Sequence, residues 1–168
     1  PILSVITNIG LDHTQFLGTT RAAIAAEKGG IIKEGTPVII GEKDDETDTV
    51  FTTIAAQKRA PILFVNSSNS HFTSDLKGSY QKANIRTVVT ALKQLNLKGI
   101  TDQIIQQGFS KVALNTNLMG RWQYLSQAPN IIVDVGHNKE GLHHISAQLK
   151  GLTYRKLHLV MGFVKGRK

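Results

Sequence analysis

Four residues with chemically versatile side chains lie near the start of the chain. Asp12 and His13 follow a short apolar run, and Lys28, next to Glu27, comes fifteen residues after His13 and directly before two glycines. Carboxylate, imidazole and amine groups can ligate a metal ion or transfer a proton. Singly, each is an ordinary loop or surface residue, because aspartate forms turns, histidine makes loop hydrogen bonds and lysine is solvated. Their grouping in one short window makes this segment a candidate ligand site.

Two common phosphate-binding motifs are missing from the sequence. It holds neither G-x-x-x-x-G-K-[ST] nor G-x-G-x-x-G, the glycine-rich loops that bring backbone N–H groups to phosphates. The chain also has no cysteine, which excludes disulfides, thiolate metal sites and a cysteine nucleophile. On motifs alone, the chain is expected neither to hold a triphosphate in a P-loop nor to bind a dinucleotide in the familiar way.

The charge of the chain is basic but unevenly spread. Twenty Lys and Arg residues face twelve Asp and Glu, for a formal net charge of +8, and residues 129–168 hold seven of the basic residues and two of the acidic ones. No basic stripe is interleaved with aromatic residues, so a generally cationic surface is favoured over a nucleic-acid site. No apolar run approaches the roughly eighteen residues of a membrane span. We therefore expect a cytoplasmic globular protein with no nucleic-acid or membrane partner.

The elements that position these residues follow an alternating pattern. Apolar runs at 2–7, 37–41 and 62–65 predict strands, and they alternate with helical patterns from Thr19 or Thr20 to Ile32 and over 46–59. Strand–helix–strand units of this length predict an α/β fold with a parallel sheet. Open sheets of this kind bind ligands just after the carboxyl ends of their strands, and Asp12 and His13 follow the first strand.

The second half of the chain restarts the same pattern. Helices are predicted over 79–96 and 101–107, followed by a strand at 130–134, a helix at 139–150 and a strand at 157–161. We therefore place a domain boundary near residue 127. The chain opens on an apolar strand and stops soon after the second pattern begins, which is the pattern expected of an internal fragment.

Five motifs, in order, resemble one enzyme family. They are T-N-I-G-L-D-H-T-Q-F-L-G from Thr7, E-K-G-G-I-I-K from Glu27, Y-Q-K-A-N from Tyr80, G-R-W from Gly120 and D-V-G-H-N from Asp134. Together they resemble the folylpolyglutamate synthase/dihydrofolate synthase family, which is part of the Mur-ligase-like, ADP-forming amide ligases. The resemblance implies a partial P-loop-type central ATPase domain over 1–127 and the start of a Rossmann-like, glutamate-ligating C-terminal domain over 128–168.

The resemblance also implies the chemistry. Members of the family phosphorylate a substrate carboxylate with Mg²⁺ and ATP, and the amine of L-glutamate then attacks the acyl phosphate. His13 matches the family's magnesium-ligating histidine. Lys28 matches a lysine that carries CO₂ as a carbamate, and only a neutral amine adds CO₂, so Lys28 is expected to be partly desolvated or held near positive charge.

Four further positions match the family's ATP-binding residues. Asn84, expected to be half-buried, matches the residue that meets adenine, and Arg121 matches the arginine on the phosphates, a role suited to a planar fork that is always charged. Asp134 matches the ribose-binding aspartate, and His137 matches its neighbour at the nucleotide. Because the predicted boundary separates Arg121 from Asp134, a nucleotide touching both is expected to bridge two domains. In the full-length enzyme we also expect Asp134→Asn to lower kcat/KM for ATP less than Arg121→Ala does, since an amide can still accept one ribose hydrogen bond.

Departures from the family leave alternatives open. The family's P-loop, with its lysine and metal-binding serine, and an upstream glutamate that ligates the metal are absent from these residues, so this piece is expected to be inactive alone. The full-length enzyme is expected to be a monomer acting on folate or dihydropteroate, L-glutamate and ATP. One alternative is a UDP-muramoyl amino-acid ligase of the same superfamily, and another is a basic α/β module that binds anions or nucleic acid.

Overall fold

The computed structural model describes residues 1–12, 14–68 and 70–162. The strands are β1 Ser4–Ile6, β2 Val38–Ile40, β3 Ile62–Phe64, β4 Gln123–Gln127 and β5 Asn130–Val133. The helices are α1 Thr14–Leu17, α2 Arg21–Gly29, α3 Asp45–Gln57, α4 Gln81–Leu95, α5 Asp102–Phe109, α6 Val112–Thr116 and α7 Lys139–Lys150. None of the described helices is long and apolar enough to cross a membrane.

The first three strands form one parallel sheet in the order β1-β2-β3. Val38 of β2 lies opposite Ser4 on one side and Ile62 on the other, and the register continues without a shift to the end of each strand. The strands are only three residues long, and a helix lies in each connection between them. The α/β class and the parallel sheet predicted from the sequence are confirmed.

Helices α2 and α3 cover one face of this sheet, and α4 packs on β2. Ile24 and Phe51 are completely buried in the cluster between α2, α3 and the sheet, and each such side chain stabilises the fold by about 2–3 kcal/mol. Ile39 of β2 is also completely buried but does not belong to that cluster. This is because successive strand side chains point to opposite faces.

The packing of α2 against α3 explains a glycine that is costly in a helix. A Cβ at Gly29 would lie 2.5 Å from Cδ1 of Ile54 in α3, so a larger residue would displace the Ile54 side chain. The start of α2 agrees with the sequence, because the Thr20 hydroxyl accepts a hydrogen bond from the backbone N–H of Ala23 at 3.1 Å. Such a cap satisfies an N–H group that has no partner within the helix.

The chain after α6 forms an antiparallel hairpin followed by a helix. Strand β4 pairs with β5, with an irregularity between Tyr124 and Ser126, and α7 follows. The sequence did not predict β4, and the boundary predicted near residue 127 lies in the turn between these two paired strands. The division into two domains stays a proposal.

The strand predicted over 157–161 is wrong. This segment has no strand structure, and its apolar side chains are exposed, with Val160 at 99%. A strand needs a neighbour that accepts and donates its backbone hydrogen bonds, and no strand of the described residues lies beside it. Only the first two elements of the predicted second unit, β5 and α7, are present.

Candidate functional site

A large open cleft of about 1020 Å³ lies at the carboxyl ends of the three parallel strands. Thr7 and Asn8 after β1, Gly41 after β2 and Val65 after β3 form its floor. The beginning of α4, Arg121 and residues between 134 and 144 contribute to its wall. We call this space the main cleft, and its position is the one at which open parallel sheets bind ligands.

Four of the six sequence-predicted site residues come together here: Asn84, Arg121, Asp134 and His137 all line the main cleft. Arg121 comes just before β4 and Asp134 just after β5, so the antiparallel pairing places both at the same end of the hairpin. The hairpin itself therefore brings these two residues together, and a nucleotide does not have to bridge separate units to touch both.

Asn84 differs from the expectation of half-burial, because it is exposed. The buried amide of this motif is instead Gln81, whose Oε1 accepts a hydrogen bond from Asn84 Nδ2 at 2.8 Å. Asn84 lies one position before Ile85, which faces the core, and adjacent helical residues point in different directions. The Asn84 side chain is thereby oriented by Gln81 while remaining accessible from the cleft.

Charged groups of both signs line the main cleft. The cations are Lys43, Arg86 and Arg121, and the carboxylates are Glu42, Asp134 and Glu140. Asp134 and Glu140 accept hydrogen bonds from backbone N–H groups, which partly compensate their charge. The first turn of the twelve-residue helix α7, with its positive dipole end, also contributes Asn138 and Gly141 to the wall. The cleft therefore offers a ligand both cationic groups and hydrogen-bond acceptors.

Asp134 is held by three protein donors. Its Oδ2 accepts hydrogen bonds from the Tyr80 hydroxyl at 2.9 Å and from the backbone N–H of Trp122 at 2.8 Å, and its Oδ1 accepts one from the N–H of Gly136 at 2.8 Å. Burial and the neighbouring Asp134 carboxylate together raise the pKa of Tyr80 to about 12. The phenol therefore remains protonated, and a donor, at neutral pH.

His137 connects the end of the hairpin to the loop after β1. Its Nδ1 lies 3.0 Å from the carbonyl oxygen of Val135, and its Nε2 lies 3.3 Å from Oδ2 of Asp12. Both neighbours are acceptors, so only the doubly protonated ring donates to both. His137 is thus held at the rim of the cleft by contacts on either side of its ring.

Glu140 connects the loop after β1 to the first turn of α7. Its Oε1 accepts a hydrogen bond from the N–H of Leu11 at 3.3 Å, and a Cβ added to Gly10 would lie 3.2 Å from the carboxyl group. Its Oε2 is buried and has no hydrogen-bond partner among the described residues. The loop before His13 is therefore packed directly against the first turn of α7.

Lys28 lies apart from the main cleft. It is exposed, its Nζ donates to the carbonyl oxygen of Asn8 at 3.4 Å, and it lines a separate, smaller hollow of about 190 Å³. Partial desolvation, one of the two conditions expected for Lys28, is not seen, because the residue is exposed. Asn8 lines both spaces and is the link between Lys28 and the main cleft.

The predicted metal ligand, His13, lies outside the described residues. Within the described ranges, no three His, Cys, Asp or Glu side chains are grouped closely enough to hold a metal ion. The described residues therefore do not by themselves make a magnesium site.

Sequence reasoning missed two residues that shape the site, Tyr80 and Glu140. In the sequence, Tyr80 stands out only as the first residue of the Y-Q-K-A-N motif. A buried phenol commonly needs a hydrogen-bond partner, however. Glu140 is an acidic residue in the first turn of a predicted helix. Its charge there interacts favourably with the helix dipole, whatever the helix packs against. Neither signal identifies the partner, because each partner is distant in sequence.

Comparisons with known proteins give a consistent result. No protein-family model matches the chain. The dihydrofolate synthase/folylpolyglutamate synthase of Haemophilus influenzae is 30% identical over 98% of this chain and 44% of its own length. A folylpolyglutamate synthase solved with AMPPCP and folate matches with a TM-score of 0.78 at 26% identity, over 92% of this chain and 43% of that one. A bifunctional folylpolyglutamate synthase/dihydrofolate synthase from Yersinia pestis, complexed with AMPPNP and a manganese ion, matches with a TM-score of 0.75 at 26% identity, over 89% and 42%.

The fold and the cleft define an α/β protein with a charged cleft at the carboxyl ends of a parallel sheet. The chain is a homologue of the dihydrofolate synthase/folylpolyglutamate synthases, which confirms the resemblance in its motifs. It spans about two fifths of the length of these relatives.

Proposed function

We propose that this chain forms part of the ATP site of a ligase that joins L-glutamate to folate or dihydropteroate. The observation that carries the proposal is the meeting of Asn84, Arg121, Asp134 and His137 on one cleft. The names of the homologues and the nucleotide analogues in two of them support it. Folate is favoured over a UDP-muramoyl substrate because the relatives are named as dihydrofolate and folylpolyglutamate synthases.

Each of the four cleft residues has a proposed contact with ATP that fits its surroundings. Arg121, half-buried and with Nη1 3.3 Å from its neighbour's carbonyl oxygen, would bind the phosphates. Asn84, oriented by Gln81, would meet the base, and Asp134 the ribose, with His137 beside it. Phosphoryl transfer depends mainly on positioning and charge stabilisation, and these are what a cleft lined by fixed side chains supplies.

The reaction itself has two steps. The γ-phosphoryl group of ATP passes to the substrate carboxylate and releases ADP, and the amine of glutamate then displaces phosphate from the acyl phosphate to form the amide. A divalent ion would neutralise phosphate charge, with His13 as its proposed ligand in this chain. Lys28 is proposed as the carbamate-bearing residue, at the Asn8 edge of the main cleft.

The whole enzyme is proposed to be a cytoplasmic monomer, and the 168 residues alone are proposed to be inactive. The sequence contains no G-x-x-x-x-G-K-[ST] loop of the kind that holds the β- and γ-phosphates. We therefore expect nucleotide binding, rather than amide formation, to be the activity that can be measured on this chain.

Replacing Arg121 by alanine is expected to weaken ADP binding by about 2 kcal/mol, roughly 30-fold in Kd, because a charge-assisted contact with phosphate is lost. Isothermal titration calorimetry of the 168-residue chain with ADP measures this directly. Arg155→Ala removes the same charge from an exposed position outside the cleft and is expected to leave the Kd within twofold.

Equal weakening by both substitutions would show that general positive charge, and not this cleft, attracts the nucleotide. The nucleic-acid alternative predicts a different result, namely retention on DNA whose affinity falls steeply with salt. Absence of saturable ADP binding together with such retention would replace the proposed function by that alternative.

A further inference from the structure

The carboxylate of Asp134 has little capacity left for a ligand. A carboxylate offers about four acceptor positions, two on each oxygen. The Tyr80 hydroxyl and the Trp122 N–H occupy both positions on Oδ2, and the Gly136 N–H occupies one on Oδ1. One position, on Oδ1, remains for a hydroxyl group of a bound nucleotide.

We propose that Tyr80 is a positioning residue for nucleotide binding: its hydroxyl fixes Oδ2 of Asp134, so that Oδ1 is presented to the sugar. This inference rests on the proposed function, since it concerns the sugar contact of the same cleft. Without the phenol, only the two backbone N–H groups of Trp122 and Gly136 would hold the carboxylate, one on each oxygen. Its plane would then be less closely fixed about the terminal torsion.

The surroundings of Tyr80 hold its ring in one place. The residue lies immediately before α4, and a Cβ on Gly78 would come within 2.7 Å of the Tyr80 ring, so the ring is packed over its own backbone. The N–H of Ser79 donates to Oε1 of Gln148 at 2.7 Å, which fixes this turn to α7. The hydroxyl thus reaches Asp134 from a turn anchored at a second point.

The other donor to Oδ2 is equally constrained. Trp122 has a φ of 52°, a left-handed conformation that bulky residues rarely adopt, and its side chain is only 2% exposed. A strained backbone conformation of this kind persists only where the surrounding structure holds it in place. Here the N–H of Trp122 donates to Asp134. Two rigid donors on Oδ2 therefore leave the carboxylate one orientation.

Tyr80→Phe tests the inference through discrimination between sugars. The parent chain is expected to bind ADP about tenfold more tightly than 2′,3′-dideoxy-ADP, the effect of one hydrogen bond to a charged acceptor. In Tyr80→Phe this preference is expected to fall below about threefold, whereas Tyr124→Phe, which removes an exposed phenol from β4, should keep it. Calorimetry with both nucleotides gives the four variant constants and the two parent ones.

The outcomes separate the inference from the proposed function. Saturable ADP binding with the full preference retained in Tyr80→Phe would overturn the positioning role and leave the ATP site intact. No ADP binding by the parent would overturn both. If Tyr80→Phe does not fold, NMR of the parent decides: at saturation the Trp122 amide and the Tyr80 ring should shift further with ADP than with dideoxy-ADP, and equal shifts with both would overturn the inference.

Discussion

The Gly41→Ala variant is expected to be less stable than the parent by about 3 kcal/mol, at the upper end of the cost of overfilling a packed site. Gly41 directly follows β2, and its N–H donates to the carbonyl oxygen of Ile6 at 2.7 Å. A Cβ there would lie 2.5 Å from the carbonyl oxygen of Thr7 and 2.6 Å from Oγ1 of Thr87. One of these obstacles is backbone, so β1 and β2 would have to separate at the floor of the cleft.

Urea unfolding followed by circular dichroism measures this effect. Gly108→Ala is the matched control, because Gly108 lies in α5 and a Cβ added to it meets nothing within 4 Å. There alanine should stabilise the chain by up to about 1 kcal/mol through its higher helix propensity. Equal unfolding midpoints for Gly41→Ala and the parent would show that the strand ends are less closely packed than described.

The second large effect is expected for Asp134→Asn, at about 2–3 kcal/mol of stability. Both oxygens of Asp134 accept from protein donors, so an amide NH₂ must face either the Gly136 N–H or the pair formed by the Tyr80 hydroxyl and the Trp122 N–H. Either orientation places donors against donors. The expectation from sequence concerned the use of ATP, for which Asp134→Asn is expected to cost less than Arg121→Ala. The loss of stability is a separate effect, because it comes from hydrogen bonds within the protein.

Thermal unfolding of Asp134→Asn beside Asp45→Asn separates this effect from loss of charge. Asp45 is exposed in the first turn of α3, and its substitution should change stability by about 0.5 kcal/mol or less. A stability of Asp134→Asn indistinguishable from that of Asp45→Asn would mean that the three hydrogen bonds contribute little.

The parallel sheet and its helices could be predicted because their signals are local. The run Val38–Ile40 is apolar throughout, as a strand buried on both faces must be, and Thr20 marks the start of α2 at the position of the observed cap. The short helices α1 and α6 were missed, since four or five residues carry too little periodicity to be recognised.

The errors in the second half concern strands, and strand formation depends on pairing. Strand β4 has only two apolar residues in five, Tyr124 and Leu125, and they are adjacent rather than alternating. Residues 157–161 have the composition of a strand, but a strand exists only where another one pairs with it. Pairing is a property of the fold, and no local pattern supplies it.

Four of the six predicted site residues lie together on the main cleft, but the contacts that orient them were not predicted. The motifs placed Asn84, Arg121, Asp134 and His137 in one function, and the structure places them on one cleft. The contacts that orient the last two join positions 54 and 125 residues apart, between Tyr80 and Asp134 and between Asp12 and His137. Contacts over such distances depend on how the hairpin and α7 pack against the sheet.

An NMR titration of the ¹⁵N-labelled 168-residue chain with ADP tests directly whether the main cleft binds a nucleotide. If the cleft is the nucleotide site, saturable shifts should concentrate at the amides of 80–84, 120–122 and 134–138, and Arg121→Ala should need about 30-fold more ADP to reach the same shifts. Shifts confined to the basic segment 150–158, or unchanged by the loss of Arg121, would contradict the account.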